Sequence, residues 1–236
     1  MELDDCDRGE NDMTIDDTAR AGGLAALVKS RTDEAHRAAE SSSFMADLLD
    51  GALPEAAYVE LEAQSWFIYR ALEAGGRTLA GNALVDPFLD DALLRLEGLE
   101  RDLEHHLGAQ WRSLIAMLPA TERYVERIAE VVATWPAGFV AHHYLRYLGD
   151  LSGGQIIRTK MSRTYGYETD GVRFYIFDAI AKPKPYKDGY RAKMDALPID
   201  GAESERFIAE VADAFRLNRD LFADLGGRFA RSGAAV

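Results

Sequence analysis

The chain has 236 residues, of which 47% are apolar, and its formal net charge is −13. Ten Phe, ten Tyr and three Trp are ample for a globular core. The length allows either one large domain or two small ones. Clustered Lys and Arg are needed to bind phosphates, so this acidic composition argues against a nucleic-acid-binding protein. The single cysteine, Cys6, cannot form a disulfide within the chain, and the sequence shows neither a signal-peptide pattern nor an apolar segment of membrane-spanning length. We therefore expect a soluble, cytoplasmic protein.

The acidic residues are concentrated at the start of the chain. Residues 1–20 contain eight Asp or Glu and two Arg, which gives this segment a net charge of −6. A segment with high charge and few large apolar residues cannot form a packed core. Residues 1–22 are therefore predicted to be a disordered leader, residues 23–227 a single folded domain, and residues 228–236 a flexible tail.

Most of the body follows a helical pattern. Apolar residues recur at steps of three and four, with Pro, Thr or Asp at the expected starts of helices and Gly at several of their expected ends. The predicted helices cover residues 24–40, 54–75 and 86–108, a fourth opens at Thr121, a long fifth runs from Pro136 to Gly166, a short basic helix follows residues 182–185, and the last closes at Gly226-Gly227. Only residues 172–176 look like a strand, and one short strand cannot form a sheet. The sequence therefore predicts an all-α fold.

Three glycines interrupt the long fifth helix between Tyr144 and Arg158. Each glycine inside a helix costs roughly 1 kcal/mol relative to alanine, so Gly149, Gly153 and Gly154 together cost about 2–3 kcal/mol unless another interaction offsets it. Because Gly149 and Gly153 are four residues apart, they leave bare backbone on one face. A neighbouring helix, a helix end or a flat ligand each explains such a strip, and the spacing leaves these alternatives open.

One histidine has neighbours suited to a metal ligand. Lys29, Thr32, His36 and Glu40 follow one another at steps of three and four, which places them on one face of the first predicted helix. A carboxylate one turn away can accept the N–H of an imidazole and leave its other nitrogen free for a metal. Taken alone, the same pattern is more often a surface or core histidine.

Two sequence segments resemble a known family. They read T-D-E-A-H-R-A-A-E-S-S-S-F-M at residues 32–45 and H-Y-L-R-Y-L-G-D-L-S-G-G-Q at residues 143–155. Weaker agreement continues in W-F-I-Y-R-A-L-E at 66–73, Y-K-D-G-Y-R-A-K-M at 186–194 and F-R-L-N at 215–218. With these motifs in this order, residues 24–226 resemble the haem oxygenases, most closely the soluble bacterial ones. Membrane-bound members carry a C-terminal anchor, for which this sequence shows no counterpart.

The resemblance implies a single all-α domain that holds haem b between a proximal helix and a kinked distal helix. It also implies oxidative cleavage of haem with O2 to biliverdin, carbon monoxide and ferrous iron, with the α-meso carbon as the expected position. By resemblance, His36 is the axial iron ligand and Glu40 its hydrogen-bond partner, and Gly149, Gly153 and Gly154 let the distal helix approach the ring. The residues expected to hold the haem propionates are Lys29, Tyr144, Lys187 and Arg191. Tyr69, Arg146, Asp150 and Asn218 are expected in a distal water network, and Met45 and Phe215 in the pocket wall.

Electrons must come from another protein, because the sequence contains no flavin motif and no cysteine set for an iron–sulfur cluster. A ferredoxin or a flavoprotein reductase is implied, and Lys187, Arg191 and Lys193 form one plausible docking face. Two alternatives belong to other functional classes. A non-degrading haem carrier shares His36 but has no need of Asp150 beside the glycines. In a partner-binding helical bundle, the glycine strip packs against another helix.

Overall fold

The computed structural model describes residues 22–230, and none of these residues forms a β-strand. The acidic leader up to residue 21, with Cys6, and residues 231–236 of the predicted tail lie outside the described part. The helices are α1 Gly23–Arg31, α2 Asp33–Glu40, α3 Ser43–Leu49, α4 Glu55–Thr78, α5 Leu96–Leu107, α6 Pro119–Thr134, α7 Pro136–Gly149, α8 Gln155–Tyr165, α9 Pro183–Asp195 and α10 Gly201–Ala230. The predicted all-α class is confirmed.

The first predicted helix is divided in two at Thr32. The Thr32 side chain donates to the carbonyl oxygen of Val28 at 2.7 Å, and its backbone leaves the helical region at φ −107° and ψ 6°. The prediction of one continuous helix over residues 24–40 is therefore wrong, although α1 and α2 together cover the same residues. The serine break leads directly into α3, a helix that was not predicted, where Ser42 Oγ accepts from the Met45 backbone N–H.

Helix α4 does not end at Gly75, as the sequence predicted, but continues to Thr78. A Cβ atom built on Gly75 would lie 2.6 Å from Val132 Cγ2 and 3.0 Å from the Phe139 ring. This glycine therefore lets α4 approach α6 and α7 closely and does not end the helix. Pro54 occupies the N-cap position, one residue before the first helical residue.

The third predicted helix begins ten residues later than expected. Residues 86–88 and 91–93 form separate 3₁₀ turns, and α5 starts only at Leu96. Its first N–H groups are satisfied by a side chain distant in sequence, since Glu73 Oε1 accepts from the backbone N–H of Arg95 at 2.7 Å and of Leu96 at 2.8 Å. A cap supplied by another helix leaves no local signal in the sequence.

The predicted boundaries of α6 and α10 are also wrong. Helix α6 starts at Pro119, and Thr121 is buried in its first turn. Helix α10 continues through Gly226-Gly227 to Ala230, which makes residues 228–230 helical where a flexible tail was expected. The strand-like residues 172–176 contain a 3₁₀ turn, Arg173–Tyr175.

Helix α10 is the common support of the fold. It packs against α2, α6 and α7, while α4 packs against α5 and α6. Between α7 and α8, residues Asp150–Gly154 form a π-helical turn, which we call the π turn. No helix within residues 22–230 has both the length and the apolar character needed to cross a membrane.

Candidate functional site

The three glycines of the distal segment have two different environments. A Cβ atom built on Gly149 or Gly153 would have no described neighbour within 4 Å, apart from adjacent residues and its own helix backbone. A Cβ on Gly154 would lie 2.8 Å from the Tyr175 ring. Bare backbone at Gly149 and Gly153 therefore faces open space, and Gly154 packs against the protein. Within the described residues no helix covers the strip, and π-helical turns of this kind are frequent at functional sites.

His36 lies on the exposed side of α2. Its Nε2 atom is 3.2 Å from Glu40 Oε1, and 49% of its side chain is exposed. The ring meets the edge of Phe215 on α10, with 5.3 Å between ring centroids. Either imidazole nitrogen can bind a metal once the other is held by the carboxylate.

One turn of α10 borders both sides of the predicted site. Phe215 contacts His36, and Asn218 Oδ1, three residues later, accepts a hydrogen bond from Arg146 Nη1 at 2.8 Å. Arg146 belongs to α7, the helix that leads into Gly149 and the π turn. The proximal histidine and the distal helix therefore meet the same short segment of α10.

The structure brings together all four residues of the predicted distal network. The Tyr69 hydroxyl donates to Asp150 Oδ2, and the guanidinium carbon of Arg146 lies 5.1 Å from the centre of the Tyr69 ring. Arg146 is buried and also reaches Ser65 Oγ at 3.4 Å, while its Nε has no hydrogen-bond partner among the described residues. The network thus retains a buried donor that a water molecule can satisfy.

Burial and the network act in opposite directions on the pKa of Asp150. Burial raises the pKa of this carboxyl, while Arg146 and the hydrogen bond from Tyr69 act in the opposite direction. Burial and the charge of Asp150 raise the pKa of Tyr69 well above its usual value, so the phenol remains a neutral donor. A carboxyl of raised pKa beside a fixed donor can hold a water molecule and exchange protons with it.

The predicted propionate anchors lie on α1, α7 and α9, and we call the three cations among them, Lys29, Lys187 and Arg191, the basic rim. Lys187 Nζ donates to Ser152 Oγ of the π turn at 2.8 Å, and Arg191, one turn further along α9, pairs with Asp188 at 3.1 Å. Burial and the nearby Arg191 lower the pKa of Lys187. Lys29 is exposed on α1, which packs against α9. Tyr144 is partly buried, with its ring centroid 6.3 Å from that of Tyr190.

Several residues of the site were not predicted. Ser65 supports Arg146 and lies four residues before Tyr69, a helical spacing that could have revealed it. Tyr147 packs edge-on against Tyr69, with 5.2 Å between centroids, and belongs to the same motif as Arg146. Ser152 also lies in that motif, whereas Tyr175 had no such signal, because its contact with Gly154 depends on tertiary packing. Met45, predicted in the pocket wall, is buried in α3.

A family model described as heme oxygenase matches residues 22–224. The chain belongs to the heme oxygenase family. Heme oxygenase 1 of Synechocystis sp. is 34% identical over 209 residues, which are 89% of this chain and 87% of that protein. The Nostoc sp. heme oxygenase 1 is 36% identical over 216 residues, with 90% of each chain covered. The family, the fold and haem-degrading oxygenase activity predicted from the motifs are thereby confirmed.

Solved heme oxygenase structures share the fold. The crystal structure of Synechocystis heme oxygenase-1 in complex with heme matches with a TM-score of 0.85 and 34% identity, covering 89% of this chain and 95% of that one. The residues of this chain fit such a ligand. An imidazole held by a carboxylate, bare backbone facing open space and basic side chains at the rim are the features that a flat anionic macrocycle requires.

Proposed function

We propose that the chain binds haem b between α2 and the π turn and cleaves it with O2 and external electrons to biliverdin, carbon monoxide and ferrous iron. The observation that carries the proposal is the open strip at Gly149 and Gly153, directly beside the Asp150–Tyr69 hydrogen bond. The strip allows a flat ring to approach the backbone, and the hydrogen bond places a proton-exchanging carboxyl at the same turn.

On the proximal side, His36 is the proposed iron ligand. Glu40, at 3.2 Å, fixes the orientation of the imidazole. Phe215 restricts rotation of the ring from the α10 side. A neutral imidazole donates less electron density to iron than a thiolate does, and the bound haem supplies the iron at which O2 reacts.

On the distal side, Asp150 is proposed to act through an ordered water. Tyr69 and Arg146 hold the carboxylate in place, and the unsatisfied Nε of Arg146 offers a further donor. A water held by Asp150 would supply protons on the π-turn side of the haem, and the bare backbone at Gly149 would leave space there for O2. Asn218 keeps Arg146 oriented.

The basic rim is proposed to set the position of cleavage. Lys29, Tyr144, Lys187 and Arg191 would hold the propionates in this proposal, and they would thereby set the rotation of the haem ring on which the expected α-meso cleavage depends. Lys187 is already tied to the π turn by its bond to Ser152. Met45 and Phe215 are proposed to contribute apolar side chains to the wall of the haem pocket.

The electron donor is proposed to be a ferredoxin or a flavoprotein reductase in the cytoplasm. Lys187, Arg191 and Lys193 give α9 a positive surface near the π turn, which suits an acidic donor. A haem carrier, the alternative raised from the sequence, would use His36 and the same basic rim, but it is not favoured. The distal network favours the enzyme, since a carrier gains nothing from a proton-exchanging carboxyl beside bare backbone.

The proposal is tested by adding haemin to the purified chain and then a reductant under air, with catalase present to remove free hydrogen peroxide. The enzyme is expected to form a Soret band that bleaches as a bilin appears. A Soret band that persists under reductant would support the carrier. Failure to form the band would contradict haem binding altogether.

A further inference from the structure

The helix α9 presents a surface with an excess of positive charge. It carries four cations and two acids. Because an α-helix has about 3.6 residues per turn, Lys184, Lys187 and Arg191 lie on one side of α9, which we call the α9 basic face, and Lys193 lies on another side. Both acids are already engaged: Asp188 pairs with Lys184 at 3.0 Å and Arg191 at 3.1 Å, and Asp195 accepts the Ala25 N–H at 2.8 Å. Within residues 22–230, Lys187 forms no ion pair, so the single charge of Asp188 is set against the three cations of the face. The face therefore has positive charge available for a partner.

The start of α1 lies at one end of this face. The bond from Ala25 to Asp195 joins the first turn of α1 to the last residue of α9, and a Cβ atom on Gly23 would lie 2.6 Å from the same carboxylate oxygen. With a helical rise of about 1.5 Å per residue, Lys187 is about 12 Å and Lys184 about 17 Å along α9 from Asp195. The segment that precedes Gly22 thus enters the described structure beside the α9 basic face.

That segment has complementary charge and sufficient length. Residues 1–20 contain eight acids and two arginines. A coil of twenty residues averages about 25 Å end to end, more than the distance to Lys184. Attachment at this point also gives the acids an effective concentration on the order of millimolar near the face. Exposed ion pairs are weak individually, at about 0–1 kcal/mol, but several tethered pairs act together.

We propose that residues 1–20 dock on the α9 basic face of their own chain. The docked segment covers the surface on which, under the proposed function, an acidic electron donor would bind, so it acts as an intramolecular competitor of that donor. The competing occupants are a second copy of this chain and an external acidic protein. The docking itself needs neither haem nor turnover, and its test is therefore independent of the proposed activity.

The single cysteine of the chain, Cys6, lies in the acidic segment and permits a direct test. A nitroxide attached to Cys6 of the full-length, ¹⁵N-labelled chain reports nearby amides through paramagnetic broadening. We expect strong broadening of residues 184–193 at low salt, reduced about fivefold or more in 0.5 M salt, where the screening length falls to about 4 Å. The amides of α5, which is not among the helices packed against α9, should remain sharp.

Two controls decide the origin of the broadening. A Lys184→Gln, Lys187→Gln and Arg191→Gln triple variant, with its circular dichroism unchanged, should lose the effect. Mixing nitroxide-labelled ¹⁴N chains with unlabelled ¹⁵N chains should give none. Absence of α9 broadening at low salt, its persistence in the triple variant, or its transfer between chains in the mixture would each overturn the proposal; the last result would assign the face to a second copy.

Discussion

Asp150 joins the proposed distal network to the π turn. It receives the Tyr69 hydroxyl, lies near Arg146 and begins the π turn that follows Gly149. Burial raises its pKa, while the two neighbours stabilise the carboxylate. A group balanced in this way can take up and release a proton near neutral pH more easily than an ordinary aspartate.

Replacing Asp150 with Ala should separate binding from chemistry. The variant should retain the Soret band, because His36 and the basic rim are unchanged, but its biliverdin rate should fall about 100-fold or more, within the usual range for loss of a proton-transfer group. Single-turnover assays with haemin and reductant measure both quantities. Replacement of the exposed Asp178 serves as the matched control and should leave the rate unchanged. Undiminished biliverdin formation by Asp150→Ala would remove this residue from the mechanism.

Replacing Gly149 or Gly154 with alanine should have opposite effects on the free energy of unfolding. In Gly149→Ala the new methyl group meets no described atom, so the free energy of unfolding should stay the same or rise by up to about 1 kcal/mol, while haem affinity falls because the methyl occupies the ring's space. In Gly154→Ala the methyl would lie 2.8 Å from Tyr175 and should destabilise the fold by about 1–3 kcal/mol. Urea unfolding and haem titration of both variants measure the contrast. Equal destabilisation of the two would contradict the assigned environments.

At the scale of elements, Glu210 joins three helices. It lies on α10 and accepts from Arg127 of α6 at 2.8 and 2.6 Å, and His142 Nε2 of α7 lies 2.8 Å from its Oε1. Burial opposes ionisation, but these hydrogen bonds from His142 and Arg127 lower the pKa of Glu210 to about 2. Because the pKa is lower in the folded state than in the unfolded chain, the ionised carboxylate stabilises the fold above about pH 4.5.

Glu210→Gln should therefore lose stability in a pH-dependent manner. At pH 7 we expect a loss of roughly 2–3 kcal/mol, which shrinks as the pH falls from about 4.5 towards 2, because over that range the carboxyl of the unfolded parent chain binds a proton while that of the folded chain stays ionised. Urea unfolding at pH 7 and pH 3 gives the two values. Glu130 also pairs with Arg127, at 2.7 Å, but is 60% exposed, so Glu130→Gln should cost less than about 0.5 kcal/mol. A pH-independent loss in Glu210→Gln would refute the linkage.

Variants of helix α9 can test how the haem ring is oriented. A Lys187→Gln and Arg191→Gln double variant should form a mixture of biliverdin isomers, because two of the proposed propionate anchors are lost and the ring can rotate. Chromatography of the products separates the isomers, and Lys193→Gln, on another flank of α9, is the matched control. A single unchanged isomer from the double variant would show that these residues do not fix the ring.

Local patterns predicted the elements better than their boundaries. Helical periodicity identified most helices, and the sequence motifs identified the residues that meet around Asp150. The errors occur where tertiary contacts replace local signals: Gly75 looks like a helix end but makes room for Val132, and α5 takes its cap from Glu73. The different environment of Gly154 depends on Tyr175, which lies 21 residues away. No spacing rule carries such information.

At the scale of the whole molecule, α10 unites the two sides of the site. Phe215 contacts His36 and Asn218 accepts a hydrogen bond from Arg146, so one helix contacts both the proposed iron ligand and the proposed distal network. The same helix is anchored to α6 and α7 through Glu210. The site is therefore built on packed helices, which suits a reaction that requires fixed distances.

The most direct test of this arrangement is resonance Raman spectroscopy of the ferrous haem complexes of the parent chain and His36→Ala. We predict an iron–histidine stretching band in the parent chain, its loss in His36→Ala, and its partial recovery as an iron–imidazole band when free imidazole is added. An iron–histidine band of unchanged frequency and intensity in His36→Ala would show that another residue binds the iron, and would contradict a haem held between α2 and the π turn.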